Sequence, residues 1–267
     1  MNFAVIGHPI AHSFSPFLHE VNFKENNDSH AYIALDIEPQ NLKNIRQIIK
    51  EHNLSGFNVT VPHKEQIISY LDEVHSSAAQ VGAVNTVLVN GEQLIGYNTD
   101  VSGYKHSFIN SFTETDKKVL ILGAGGASKA VLAAHLQMNH TVTIVARNPK
   151  SFNGFKNKDF KKLLINEGYS ETYDVVVNAT PLGLKHEDAF KYFNLEDAVH
   201  EGTIGMDLIY NPATTEFMKH FKIFKNGLDM LIYQAMDAYE IWTEKRGNRE
   251  AVKIAFIERE LPNGSNR

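Results

Sequence analysis

Apolar residues fall in short runs along the first hundred positions, each broken by a glycine, a proline or a polar cluster. NFAVIG (2–7), AYIALDI (31–37) and GFNVTV (56–61) predict strands. Between them, SPFLHEVNFKE (15–25) predicts a helix with Ser15 as N-cap and Pro16 at the first helical position. PQNLKNIRQIIKEH (39–52) predicts another, with Leu42, Ile45, Ile48 and Ile49 on one face. PHKEQIISYLDEV (62–74) predicts a third helix opening on a proline. AVNTVLV and LIGYN, joined by NGEQ within 83–98, predict a hairpin turning at Asn-Gly.

A different rhythm follows. VSGYKHSFINSF (101–112) predicts a connecting helix, and KKVLILGAGGASKAVLAAHLQ (117–137) an apolar strand, a glycine-rich turn and a helix. TVTIVAR (141–147), YDVVVNAT (173–180) and GTIGMDLIY (202–210) read as buried parallel strands. SFNGFKNKDFKKLL (151–164) is polar and loosely patterned, so a loop with a short helix is expected there. Two closing helices, GLDMLIYQAMDAYEIW (227–242) and REAVKIAFIERE (249–260), precede LPNGSNR (261–267), which reads as a frayed tail. The succession is that of a doubly wound α/β protein.

Composition narrows the chemistry. The chain has 267 residues, a net charge of −5 and no cysteine. Disulfides, thiolate metal sites and thiol nucleophiles are therefore excluded. No basic block favours nucleic acid or an anionic membrane. No signal peptide and no membrane-length apolar window is visible, so a cytoplasmic protein is expected. His8 and His12 are four apart, but Gly7 and Pro9 argue against a helix presenting both, and no metal site is expected.

The glycine-rich turn carries the first specific signal. Gly123, Gly125 and Ser128 occupy the positions of G-x-G-x-x-G, with Gly126 added, between a strand and a helix. Glycines let the backbone approach a pyrophosphate, and the helix start offers free N–H groups and the positive dipole end. A tight turn without ligand is the alternative. The next strand ends in Ala146-Arg147-Asn148, with Lys150 close behind and no acid at the tip. An acid there would repel a 2′-phosphate, whereas Arg147 can pair with one, which favours NADP over NAD.

Polar residues in the first half form a second set. If residues 12–15 are extended, Ser13 and Ser15 present hydroxyls on one side. Ser15 before Pro16 also fits a simple helix cap. Asn58 and Thr60 repeat the spacing on a strand, where partners or a water-facing edge are the two explanations. Lys64 stands in the first turn of a predicted helix, a place the dipole disfavours for a cation. Asp100 follows the hairpin and also fits an N-cap. Asn85 lies in GAVNTV, and Gln234 falls in the apolar stripe Leu231, Gln234, Ala235, Ala238, Ile241, Trp242. His63 reads as a surface neighbour of Lys64.

Taken in order, HSFSP (12–16), NVTVPHK (58–64), GAVNT (82–86), GYNTD (96–100), GAGGASKA (123–130), NATPLG (178–183), MDLIYNP (206–212) and GLDMLIYQA (227–235) resemble the shikimate dehydrogenase family over nearly the whole chain. The resemblance implies NADPH-dependent reduction of 3-dehydroshikimate to shikimate in aromatic amino-acid biosynthesis. It implies an N-terminal α/β substrate domain (1–101 and 227–267) and a Rossmann-type NADP domain (102–226), with the active site in the cleft between them.

Carried over by motif, Ser13 and Ser15 would bind the substrate carboxylate. Thr60, Lys64, Asn85, Asp100 and Gln234 would hold the ring hydroxyls, with Asn58 and Tyr210 nearby. Lys64 would be the proton donor and Asp100 its orienting partner. Gly123, Ala124, Gly125, Gly126, Ala127, Arg147, Lys150 and Thr180 would bind NADP, and Leu208 and Gly227 would lie by the nicotinamide. One departure stands out: the family commonly has Asn-Arg-Thr where this chain has Ala146-Arg147-Asn148. The family contains monomers and dimers. Two other readings stay open: a quinate/shikimate dehydrogenase using NAD or NADP, and a non-catalytic dinucleotide-binding regulator.

Overall fold

The computed structural model of the chain describes residues 1–112 and 116–260, so the expected frayed tail at 261–267 lies outside the described residues. The chain divides into two compact units, one of Met1–Gly103 with the chain from Ile232 onward, the other of Tyr104–Leu231. The boundaries implied by the resemblance, 101/102 and 226/227, fall a few residues from these.

In the first unit, β1 (Asn2–Gly7), α1 (Ser15–Glu25), β2 (Ala31–Asp36), α2 (Ile45–His52), β3 (Leu54–Val59), β4 (Glu73–Val74), α3 (Ser76–Ala79), β5 (Thr86–Asn90) and β6 (Gln93–Tyr97) follow one another. The strands form one sheet in the order β2-β1-β3-β5-β6-β4. β1 runs parallel to β2 and β3, while β5 is antiparallel to β3 and β6. Alternation along β1 divides the core between the two faces of the sheet. Phe3 and Val5 pack with Phe23, Tyr32 and Trp242. Ala4 and Ile6 pack with Ile45, Phe57 and Ile67. Gly56 is required by this packing, because a Cβ there would stand 2.4 Å from Trp242 Nε1. The same indole N–H donates to the Val87 carbonyl at 2.9 Å.

Two expected helices are altered. Residues 39–52 begin as a 3-10 turn (Pro39–Asn44) before α2. Residues 62–74 form no α-helix but a 3-10 turn (Gln66–Tyr70) followed by β4. The cause is tertiary. Asp72 N–H donates to the Leu94 carbonyl at 3.0 Å, Leu94 N–H returns to the Asp72 carboxylate at 2.7 Å, and β4 then pairs with β6. Sheet pairing overrides a helical pattern of modest intrinsic preference.

α4 (Thr99–Ile109) carries the chain into the second unit. There β7 (Lys118–Leu122), α5 (Gly126–Gln137), β8 (Thr141–Ala146), β9 (Lys161–Leu164), β10 (Val175–Asn178), α6 (Ala189–Tyr192), β11 (Ile204–Asp207) and β12 (Ile223–Lys225) precede α7 (Leu228–Thr243) and α8 (Arg249–Glu260). The sheet is wholly parallel, in the order β12-β11-β10-β7-β8-β9. The chain thus builds outward from β7 in one direction and then from β10 in the other. Their carboxyl ends mark the switch point where such sheets bind ligands. β9 corrects the loop-and-helix reading of 151–164; only the 3-10 turn Pro149–Gly154 is helical there. KKLL shows no apolar alternation, and pairing with β8 alone makes it a strand.

Candidate active site

The clearest polar constellation lies in the first unit. Lys64 does not open an α-helix; it sits in a turn after β3, before the 3-10 segment, and its carbonyl accepts Val84 N–H at 2.8 Å. His63 beside it is fully buried and bonds through Nε2 to the Ile37 carbonyl at 2.6 Å, so it is a core residue and not a surface neighbour. Lys64 Nζ donates to Asp100 Oδ2 at 2.6 Å. The two side chains are 26% and 13% exposed, shielded enough for the pair to be more than a solvated surface contact.

Asp100 is free for this role because another residue caps α4. Asn98 Oδ1 accepts the N–H groups of Asp100 at 3.1 Å and Val101 at 3.3 Å. The N-cap reading of Asp100 is thereby corrected. Its second carboxylate oxygen, Oδ1, takes a hydrogen bond from Asn85 Nδ2 at 2.9 Å. Asn85 is buried, and its Oδ1 accepts Thr99 N–H at 2.7 Å and the Thr86 hydroxyl at 3.0 Å. Its Nδ2 also reaches Gln234 Oε1 at 3.4 Å. Lys64, Asp100, Asn85 and Gln234 are therefore joined, though they come from four separate stretches of chain.

Asn58 supports this group from within. It lies on β3, an interior strand, so the water-facing-edge alternative falls. Tyr32 Oη donates to Asn58 Oδ1 at 2.6 Å, and Asn58 Nδ2 donates to the Asn85 carbonyl at 3.2 Å and Thr86 Oγ1 at 3.1 Å. Thr60 is half-buried just beyond the strand.

The serine pair is built differently from expectation. Phe14, with φ −83° and ψ −7°, is not extended and occupies the N-cap position, without a side-chain capping bond. Ser15 is the first helical residue. Ser13 Oγ accepts Ser15 N–H at 3.3 Å, so a turn, not strand alternation, brings the two serines together at the start of α1. Burial pushes the Tyr32 phenol well up, against an opposing influence of Ser15.

Sequence reasoning missed Tyr32, Thr99, Asn98 and His19. The His19 ring stacks on Tyr32 at 4.3 Å and 9°. Burial lowers its pKa to about 3, against an opposing interaction with Asn58. Its signal was available: it stands one helical turn after Ser15, on the buried face.

In the second unit, the β7–α5 turn forms the floor of a cavity of about 580 Å³ lined by Gly123, Gly125, Arg147, Asn148, Thr180 and Tyr192, among others. Gly123 has φ +92°, and a Cβ there would meet Thr180 Cγ2 at 2.7 Å. Around Gly125 and Gly126 a Cβ would find open space. The N-cap of α5, Gly125, offers no side-chain acceptor, which leaves the first N–H groups of this 12-residue helix to a ligand or water. Exposed Gly125, Gly126 and Ala127, an arginine and no acid at the β8 tip fit the phosphates of a dinucleotide. Asn148, the departure from the family pattern, caps the 3-10 turn: its Oδ1 accepts Lys150 N–H at 2.9 Å.

Leu208 and Gly227 meet through backbone. A Cβ on Gly227 would lie 2.0 Å from the Leu208 carbonyl oxygen. Tyr210, half-buried after β11, belongs to this second unit and not to the unit that holds the other expected substrate contacts. Asp207 fixes the start of the same loop, accepting Asn178 Nδ2 and Ile209 N–H at 3.0 Å each and the Thr215 hydroxyl at 2.7 Å. Burial raises its pKa to about 6. Among the described residues, no group of three or more His, Cys, Asp or Glu is placed to hold a metal ion, and no helix is long and apolar enough to cross a membrane.

Known proteins resemble the chain over nearly its whole length. The family model described as the shikimate dehydrogenase substrate binding domain matches residues 5–87, and the shikimate 5'-dehydrogenase C-terminal domain matches 227–253. A shikimate dehydrogenase (NADP(+)) of Staphylococcus haemolyticus is 40% identical over 96% of this chain and 98% of its own. A crystal structure of a shikimate dehydrogenase in complex with NADP+ superposes with a TM-score of 0.84 at 34% identity, covering 97% of this chain and 95% of its own. The Thermus thermophilus shikimate 5-dehydrogenase in complex with NADP(H) and shikimate gives 0.84 at 29% identity, covering 96% and 98%. With full-length likeness at this level, the chain belongs to the shikimate dehydrogenase family.

Proposed function

We propose that the chain is an NADP-dependent oxidoreductase that interconverts 3-dehydroshikimate and shikimate. The observation that carries this reading is the Lys64–Asp100 pair at 2.6 Å, held on its other side by Asn85. The glycine turn (Gly123, Ala124, Gly125, Gly126, Ala127) with Thr180 holds the pyrophosphate, Arg147 and Lys150 the 2′-phosphate, and Leu208 and Gly227 border the nicotinamide. NADPH bound there supplies the hydride for the C3 ketone.

The protein's own groups handle charge and position. Negative charge grows on the ketone oxygen as C3 is reduced, and Lys64 Nζ gives it a proton. Asp100 holds the ammonium in place and, with Asn85, Thr60 and Gln234, orients the ring hydroxyls. Ser13 and Ser15 bind the carboxylate as neutral donors at the start of α1, where the helix dipole favours an anion. Asn58 braces Asn85. In the reverse direction Lys64 accepts the proton. The same reading makes the enzyme cytoplasmic, a monomer or homodimer working on small molecules, with no nucleic-acid or membrane partner.

The test is spectrophotometric. Shikimate with NADP should yield NADPH, and quinate or NAD should serve poorly. Equal turnover of quinate would favour the quinate/shikimate reading. NADP binding without any turnover would leave a non-catalytic regulator.

A further inference from the structure

Tyr192 is exposed where its neighbours are buried. It ends α6 with 43% of its surface accessible, while Phe190 and Phe193 on either side are 6% and 2% exposed. The short helix is fixed in place. Asp188 caps it by accepting Phe190 N–H at 3.0 Å and Lys191 N–H at 3.4 Å, and His220 bonds Asp188 at 2.9 Å. Phe190 stacks on the His220 ring at 4.1 Å and 10°. The loop before it is also tied down, with Asn178 Nδ2 bonding the Leu182 carbonyl at 2.9 Å and Glu187 taking the N–H groups of Gly183 and Lys185 at 3.1 and 3.0 Å. An aromatic ring is thus presented on a rigid support.

The ring lines the same cavity as the glycine turn and Arg147. β8 and β10 are the two neighbours of β7 in the sheet. Arg147 follows β8 and Tyr192 follows β10, so the two residues reach the turn from opposite sides. Leu208 and Gly227 do not line this cavity. With phosphates held at the turn and at Arg147, a flat base is what remains for an aromatic wall.

We infer that Tyr192 is an adenine-binding residue, its ring stacking on the base of the dinucleotide. This rests on the NADP reading above. Base–aromatic stacking at such a wall is worth about tenfold in affinity on loss of the ring.

Isothermal titration with 2′,5′-ADP, which carries the adenine and the 2′-phosphate but no nicotinamide, isolates the contact. Tyr192→Ala should weaken its Kd about tenfold, and Tyr192→Phe should keep the wild-type value within about twofold, because the ring and not the hydroxyl does the binding. Thermal unfolding checks that each variant folds. If Tyr192→Ala does not, Tyr192→Leu, which keeps apolar bulk without a ring, reads the same loss. An unchanged Kd in the ring-less variant overturns the proposal, as does an equal loss in Tyr192→Phe. Failure of the wild-type chain to bind either NADPH or 2′,5′-ADP would instead sink the NADP reading itself.

Discussion

Lys64 Nζ and Asp100 Oδ2 stand 2.6 Å apart although 36 positions separate them in the chain. Each is released from a bland local role. Lys64 lies in a turn instead of a helix, and Asn98 does the capping that Asp100 was free to do. Lys64→Ala should lower kcat by about 10²- to 10⁴-fold, the range for a lost general acid, while KM for shikimate changes little. Steady-state kinetics in both directions decide it, and a normal kcat removes Lys64 from proton transfer.

Ser13 offers a hydroxyl at the start of α1 and accepts Ser15 N–H. Ser13→Ala should raise KM for shikimate about tenfold, the loss of one hydrogen bond to a charged group, and leave NADP binding unchanged. Titration of both ligands separates the effects. A shift in NADP affinity alone would contradict the clamp.

Arg147 lines the same cavity as the glycine turn, which the NADP reading assigns to the cofactor. Arg147→Ala should raise KM for NADP about 10- to 100-fold and leave the low activity with NAD nearly unaltered. A parallel loss with both cofactors would place Arg147 on a part that they have in common.

His19 gives the fold an acid-sensitive point. Its folded pKa of about 3 lies below the ordinary 6.5, so the unfolded chain takes up a proton that the native state refuses. The stability this contributes is present above the ordinary value and is lost as pH falls toward 3. Asp207 acts with opposite sign: raised from 3.8 to about 6, it costs stability as pH rises across that window. His19→Phe keeps a ring against Tyr32 and removes the proton. At about pH 5 its unfolding free energy should have dropped about 2 kcal/mol less, relative to pH 7.5, than that of the wild type. An identical pH dependence of thermal unfolding in the two proteins would refute this.

Much of the fold was legible in the chain. The Gly123–Ser128 turn between an apolar strand and a helix announced the doubly wound unit, and Gly123, at φ +92°, is the position where the backbone itself requires glycine. The Asn-Gly turn placed the β5–β6 hairpin. Short edge strands such as β9 and β12 were illegible, since KKLL and IFK carry no period of their own. The helix expected over 62–74 failed because Asp72 and Leu94 pair across the sheet, a contact that no local pattern encodes.

The sequence by itself determined which residue types were available: two serines before a proline, a lysine soon after an apolar strand, glycines at a strand–helix turn and an arginine at the end of the next strand. These are local matters of backbone freedom, charge and periodicity. Only the tertiary structure decided their partners. It gave the α4 cap to Asn98, put Asp100 between Lys64 and Asn85, buried Asn58 under Tyr32, and set Tyr192 across the glycine turn from Arg147. The physical reason is that a buried polar group must find its hydrogen bonds wherever the sheet and helices bring a partner, and that proximity is a property of topology, not of spacing along the chain.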